Sequence, residues 1–388
     1  MLNLFMESSN SMPTNLLSYL RCRYQSKVIE EIVRKILGKL NSTSSIVPND
    51  LVGINSRMEK LVNLLGMGLK DTRFIGIWGM GGMGKTTLAE VFHESFLNDF
   101  EGNSFLANVR EKSRGPGLVS LQEKLLYDIL IGMSFDFSNV RRGSKEIRKR
   151  LSHKKVLIIL DDVDLPNQLE ALAGDKNWFG PGSRIIITTR NRQLLINLGV
   201  DEDKIYEIEE LNNNEALKLF SRKAFKNDSL LEGYEELSQV FIYYANGVPL
   251  ALEVLGSSLF RRNVDLWKST LTRIKQHPPR DILEVLQISF DGLEESEKNL
   301  FLDIACFFNR EYYKTNILQA LHDQLDRDID ILLKKSLITI SWGYLQMHDL
   351  LQKLGREIVR RESIEAGRRS RVWCIKDVFH VLKENTVS

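Results

Sequence analysis

Eight consecutive residues, Gly79-Met80-Gly81-Gly82-Met83-Gly84-Lys85-Thr86, constrain this chain more than any other stretch, because they satisfy the spacing G-x-x-x-x-G-K-[ST]. Gly79, Gly81, Gly82 and Gly84 let the backbone turn tightly and aim several N–H groups inward, which makes a nest for an anion. The helix expected to open at Lys85 adds its positive dipole end to the same spot. Lys85 is placed to reach β- and γ-phosphates, and the Thr86 hydroxyl to ligate Mg²⁺. A glycine-rich stretch can also be a plain structural turn. Here an apolar run, Phe74-Ile75-Gly76-Ile77-Trp78, leads in, and Thr87, Leu88, Ala89, Val91 and Phe92 follow at helical spacing. Strand, loop and helix in that order are the context a phosphate cradle requires.

A second apolar run, Val156-Leu157-Ile158-Ile159-Leu160, ends in Asp161-Asp162. Solvated carboxylates at a strand end are common, so the pair gains meaning from the upstream loop. Asp161 is then the Mg²⁺ partner, and Asp162 is placed to orient or deprotonate an attacking water. A third run, Ile185 to Thr189, ends at Arg190. The carboxyl edge of an open parallel sheet is where ligands bind, so Arg190 is a candidate sensor of the γ-phosphate. A surface salt bridge is the plainer alternative.

The runs 74–78, 104–109, 156–160, 185–189 and 204–208 read as strands, with helical spacing between them at 118–130 and 165–172. Val156 to Leu160 is apolar at every position, as in a strand buried on both faces. After about residue 210 only helical spacing follows, and the hairpin signal around Ser341-Trp342-Gly343 has helical stretches on either side. The expected class is α/β: a doubly wound parallel P-loop NTPase sheet, then a helical domain and a winged-helix domain. The divisions are an N-terminal tail and linker helix over 1–45, with apolar residues from Val28 to Leu40, and a nucleotide-binding domain over 46–210. A helical domain over 211–280, a winged helix over 281–370 and a tail over 371–388 complete them.

Charge is nearly balanced, with 53 basic and 51 acidic residues, so composition supplies no argument for nucleic-acid or membrane binding. The stretch before the hairpin, Asp326-Arg327-Asp328-Ile329-Asp330, would repel phosphate, and no DNA partner is expected. Three scattered cysteines (Cys22, Cys306, Cys374) exclude a disulfide framework. With neither a secretory leader nor an apolar run of membrane length, the cytosol or nucleus is the expected compartment.

Taken in order, further blocks resemble the NB-ARC segment of plant disease-resistance proteins, the intracellular NLR immune receptors. Leu51-Val52-Gly53 with Arg57 and Glu59 looks like the entry motif that packs near adenine, which makes Val52 a candidate contact. Gly76 to Thr87 looks like the family P-loop, adding Met83 and Thr87 to the candidate nucleotide contacts. Lys155 to Asp164 is similar to the kinase-2 block, and Asp164 is typical of the TIR-bearing class. Gly182-Ser183-Arg184 through Arg190, Gly247-Val248-Pro249-Leu250-Ala251-Leu252 and Met347-His348-Asp349 resemble the following blocks in their family order. Val248 departs conservatively from the usual Leu. Ile54 stands where many relatives of the wider ATPase class carry Arg, so no polar base contact is assigned there.

The resemblance covers about residues 27–385 and implies an ADP/ATP switch, off with ADP and on with ATP, that hydrolyses slowly with Mg²⁺. It further implies that Pro249 stacks near adenine and that His348 touches the β-phosphate of ADP, latching the winged helix closed. A TIR domain needs ~150 residues upstream and a leucine-rich array several ~20–29-residue units downstream; neither is expected within these residues. Protein partners are expected through self-association or full-length relatives, and the alternative reading is a truncated adaptor, helper or decoy that acts by association with full-length relatives.

Overall fold

A run such as Val156–Leu160 has no polar face to show to water, so it is stable only with helices on both sides of its sheet. The computed structural model describes residues 51–130, 133–276, 279–312 and 316–384. The linker helix expected over 27–40 lies outside the described residues.

Helix α1 (Ile54–Leu65) leads into β1 (Arg73–Trp78), the glycine-rich loop and α2 (Lys85–Phe96). Then come β2 (Gly102–Leu106), the single turn α3 (Val109–Lys112), α4 (Gly117–Ile129) and α5 (Val140–Leu151). After β3 (Val156–Val163), α6 (Pro166–Ala173), β4 (Arg184–Thr189), α7 (Arg192–Asn197) and β5 (Ile205–Glu207) close the sheet. The strands are parallel, in the order β2-β3-β4-β1-β5. The period of two divides their side chains between two cores. Ile75, Ile77, Leu157, Ile159 and Ile186 face α1, α2 and the later helices. Phe74, Trp78, Ile158, Leu160, Ile185 and Ile187 face α4, α5 and α6.

Strand β2 begins and ends earlier than the sequence suggests. Asn108 turns the chain at φ 55, a left-handed value that asparagine tolerates, and Val109 opens α3 instead of continuing the strand. Strand β3 continues through both aspartates. Its pairing with β4 shifts between Leu160 and Val163, and Asp162 takes φ 55 inside that bulge.

A four-helix unit follows: α8 (Asn213–Phe225), α9 (Glu235–Ala245), α10 (Pro249–Leu259) and α11 (Val264–Gln276). Asn212 and Glu215 form a capping box at the start of α8, and Pro249 opens α10, where a missing N–H costs nothing. Trp267, fully buried, is ringed by Phe220, Phe225, Tyr234 and Phe241 and donates its indole N–H to the Leu259 carbonyl.

The last unit holds α12 (Arg280–Asp291), α13 (Glu295–Asp303), α14 (Asn316–Leu321), α15 (Leu325–Lys334), β6 (Thr339–Ser341), β7 (Tyr344–Gln346) and α16 (Asp349–Glu362). The hairpin turns on Trp342-Gly343, both at positive φ, the chemistry of a two-residue loop. The stretch read as a C-terminal tail carries a further helix, α17 (Ile375–Glu384). The first core runs without a break from the sheet through Phe220 and Leu286 to Leu354, so the three units share one apolar interior.

Candidate nucleotide site

The loop from Gly79 to Gly84 leaves β1 and ends as the N-cap of α2, with Gly84 at φ 87. At Gly82, φ 83 disfavours any side chain, and a Cβ would come 3.0 Å from the Leu250 Cβ. The backbone therefore packs against the start of α10, where the Leu250 N–H donates to the Gly82 carbonyl at 3.2 Å. A cavity of about 380 Å³ opens here, within the size range of ligand sites.

Of the residues singled out from sequence, Val52, Gly81, Gly82, Met83, Gly84, Lys85, Thr86, Thr87, Asp162, Arg190 and Pro249 line this cavity together. Gly79 does not; its carbonyl and that of Met80 accept from the Lys85 ammonium at 2.7 and 2.8 Å. Burial, and next the charge of Arg190, push that ammonium down to about 7, with Asp162 and Asp161 pulling the other way. An anion bound beside it would supply a counter-charge.

Asp161 sits behind the lining, fully buried. Its Oδ1 accepts from the Thr86 hydroxyl at 2.7 Å and from the Thr188 hydroxyl at 2.7 Å, and Thr188 Oγ1 in turn accepts from the Asp162 N–H at 2.8 Å. One hydroxyl and one carboxylate, both hard oxygens and already within hydrogen-bond distance, fit Mg²⁺, which takes few protein ligands and completes its shell with phosphate and water. No cluster of three or more His, Cys, Asp or Glu suited to a metal occurs among the described residues.

Asp162 pairs with two guanidiniums: Arg110 Nε donates to its Oδ2 at 2.8 Å, and Arg190 Nε lies 3.5 Å from its Oδ1. Burial lowers Arg190 from its usual value, opposed chiefly by Asp162. The other end of the Arg190 side chain reaches out of the domain, where Nη1 donates to the Val285 carbonyl of α12 at 2.7 Å.

Part of the lining is apolar, made by Leu51, Val52, Ile54, Leu211, Leu219, Pro249 and Leu250, a surface suited to a flat ring. Arg57 holds this wall by donating to the carbonyls of Gly53 at 2.7 Å and Glu210 at 2.9 Å. Asn108, Arg110 and Thr188 also belong to the site and were not picked out from sequence. Each stands at or just past the carboxyl end of a strand, the position from which Arg190 was found.

The structure does not bring His348 into this cavity. His348 lines an adjoining space of about 1070 Å³ on the winged-helix side, which shares Met83 and Ile208 with the first. Its Nδ1 accepts from the Leu350 N–H at 3.1 Å as the cap of α16, so Nε2 carries the proton and faces the Asn246 carbonyl at 3.3 Å and Glu210 at 3.6 Å.

Family comparison agrees with this geometry. An NB-ARC domain matches residues 54–230, and the winged-helix domain of Roq1-like disease resistance proteins matches 294–363. The TMV resistance protein N of Nicotiana glutinosa is 40% identical over 376 residues, 94% of this chain and 32% of that protein. The disease resistance protein RUN1 of Vitis rotundifolia is 41% identical over 354 residues, 90% of this chain and 26% of that one. The chain thus spans about a third or less of the length of these relatives. Among solved structures, a Walker-type ATPase of Pyrococcus abyssi superposes with TM-score 0.53 at 14% identity, covering 79% of this chain and 96% of that one, and shows the fold alone. Among the described residues no helix is long and apolar enough to cross a membrane. The chain carries an NB-ARC domain followed by a Roq1-like winged-helix domain, and over this region it is a homologue of plant resistance proteins of the TIR-NBS-LRR class.

Proposed function

We propose that the chain is an ADP/ATP-controlled switch whose site is coupled to the docking of its winged helix. The observation that carries this reading is the double engagement of Arg190, beside Asp162 at one end and bound to the Val285 carbonyl of α12 at the other. A side chain shared in this way couples its partner in the site to the domain contact. That supplies the difference between two states which a switch requires.

Lys85 and the loop amides hold the phosphates, and Thr86 with Asp161 would hold Mg²⁺. When bound, the ion would neutralise phosphate charge. Asp162 orients a water for slow hydrolysis, and Arg190 faces the third phosphate. Pro249 and Leu250 lie against the base. His348 keeps the winged helix against the Asn246 turn just before Pro249, so its latching part is played through protein contacts in this arrangement. Asp328 is buried in α15, and Asp326 and Asp330 flank it, which leaves that helix unsuited to DNA.

The test is to purify the chain, denature it and identify the released nucleotide by chromatography. Stoichiometric ADP, lost in Lys85→Ala, is the expected result. A parent protein that carries none and binds none on titration, or a Lys85→Ala protein that binds ADP as tightly as the parent, overturns the reading.

A further inference from the structure

Arg110 reaches the site from α3, the turn that Asn108 starts by leaving the sheet at φ 55. Its side chain is 19% exposed and lines the cavity opposite Arg190. Nε is committed to Asp162 at 2.8 Å; the two terminal NH₂ groups make no hydrogen bond to protein among the described residues. Asp162 thus lies between two guanidiniums while held at φ 55, a conformation aspartate adopts only when its surroundings fix it. Arg110 and Arg190 balance the carboxylates Asp161 and Asp162, and Lys85, lowered to about 7, takes up its full charge when an anion is added, so the site favours added negative charge.

Two planar forks facing one carboxylate present the same geometry to a phosphoryl group, which accepts bidentate hydrogen bonds and carries more charge. We propose that Arg110 is a second ligand of the third phosphate, acting opposite Arg190, and that it makes the site discriminate ATP from ADP. This rests on the nucleotide reading above. A residue that merely braced Asp162 would lose its effect once that carboxylate is neutralised, so the same substitutions are also made in an Asp162→Asn background, where a direct ligand of the third phosphate still discriminates the two nucleotides.

The experiment is calorimetric titration of the full chain with ADP and with a non-hydrolysable ATP analogue, Mg²⁺ present, for the parent, Arg110→Ala and Arg110→Lys. Expected is an ADP affinity within about twofold of the parent for both variants, as suits a group outside the diphosphate cradle. For the ATP analogue, Arg110→Ala loses about 10- to 100-fold, the worth of a charge-assisted hydrogen bond, and Arg110→Lys recovers part of it. Retained ADP binding shows that the variant is folded. Should alanine unfold the turn, Arg110→Gln keeps a donor toward Asp162 and gives the same ratio. An unchanged ATP affinity, or an equal loss for both nucleotides, overturns the proposal. A parent that binds neither nucleotide sinks the nucleotide reading instead.

Discussion

A guanidinium survives in a protein core only when its donors are answered, and Arg184 at the start of β4 meets that condition while 1% exposed. It donates to the carbonyls of Leu65 at 2.6 Å, Asp71 at 2.5 Å, Ser183 at 2.8 Å, Gly66 at 2.8 Å and Leu69 at 3.2 Å. The loop between α1 and β1 is therefore tied to the sheet by one side chain. Arg184→Leu fills the volume but leaves those carbonyls unpaired, and about 3 kcal/mol or more of stability should go with them. Urea denaturation of both proteins measures this, and a loss under about 1 kcal/mol would show that water replaces the bonds. At this scale the glycine-rich loop and the acidic pair were legible because Gly79 to Thr86 and Asp161-Asp162 are each contiguous, defined by near neighbours. Arg110 was not, since its pairing with Asp162 spans 52 positions and only the sheet order creates it.

Elements were read well where a single period rules, as in β1 and β4, and less well where one residue breaks it. Asn108 ends β2 and Asp162 bulges β3, and in both cases a positive φ at a polar residue decides what hydrophobicity alone does not. The turn Ile304–Phe308, continuing α13, is a similar case: the helix widens there to π-type bonding and presents Cys306 to the interior against α16. Burial pushes the Cys306 thiol up from 9.0 to about 12. Only the thiolate reacts, so at pH 8 the folded chain holds about a thousandfold less of it at this position than the unfolded chain. Because the folded thiol keeps its proton longer, the group costs stability as pH rises above 9, where the unfolded thiol begins to ionise. Iodoacetamide at pH 8 should therefore spare Cys306 in the folded protein, modify half-buried Cys374, and reach Cys306 only in denaturant. Rapid native labelling at Cys306, mapped by mass spectrometry, would mean that this turn opens readily.

Across the whole molecule, the nucleotide domain, the helical unit and the winged helix meet at a small set of polar contacts on top of the shared core. Leu250 bonds the phosphate loop, His348 faces the Asn246 carbonyl, Lys353 of α16 stands 3.2 Å from the ring centre of Tyr244 in α9, and Arg190 holds Val285. Of these, Leu250 also lines the cavity, but Arg190 is the one that touches an acidic group of the site, so it joins the charged end of the site to the position of α12. A change that removes it should uncouple the two without emptying the phosphate cradle, which Lys85 and the loop amides form independently. Arg190→Ala should still bind ADP. By small-angle X-ray scattering, the parent should be compact with ADP and more extended with an ATP analogue. The variant should instead give the same radius of gyration with either, because no side chain then links Asp162 to α12. If the variant keeps the parent's nucleotide-dependent difference, the coupling runs through the apolar core, and the Arg190–Val285 bond is only a docking contact.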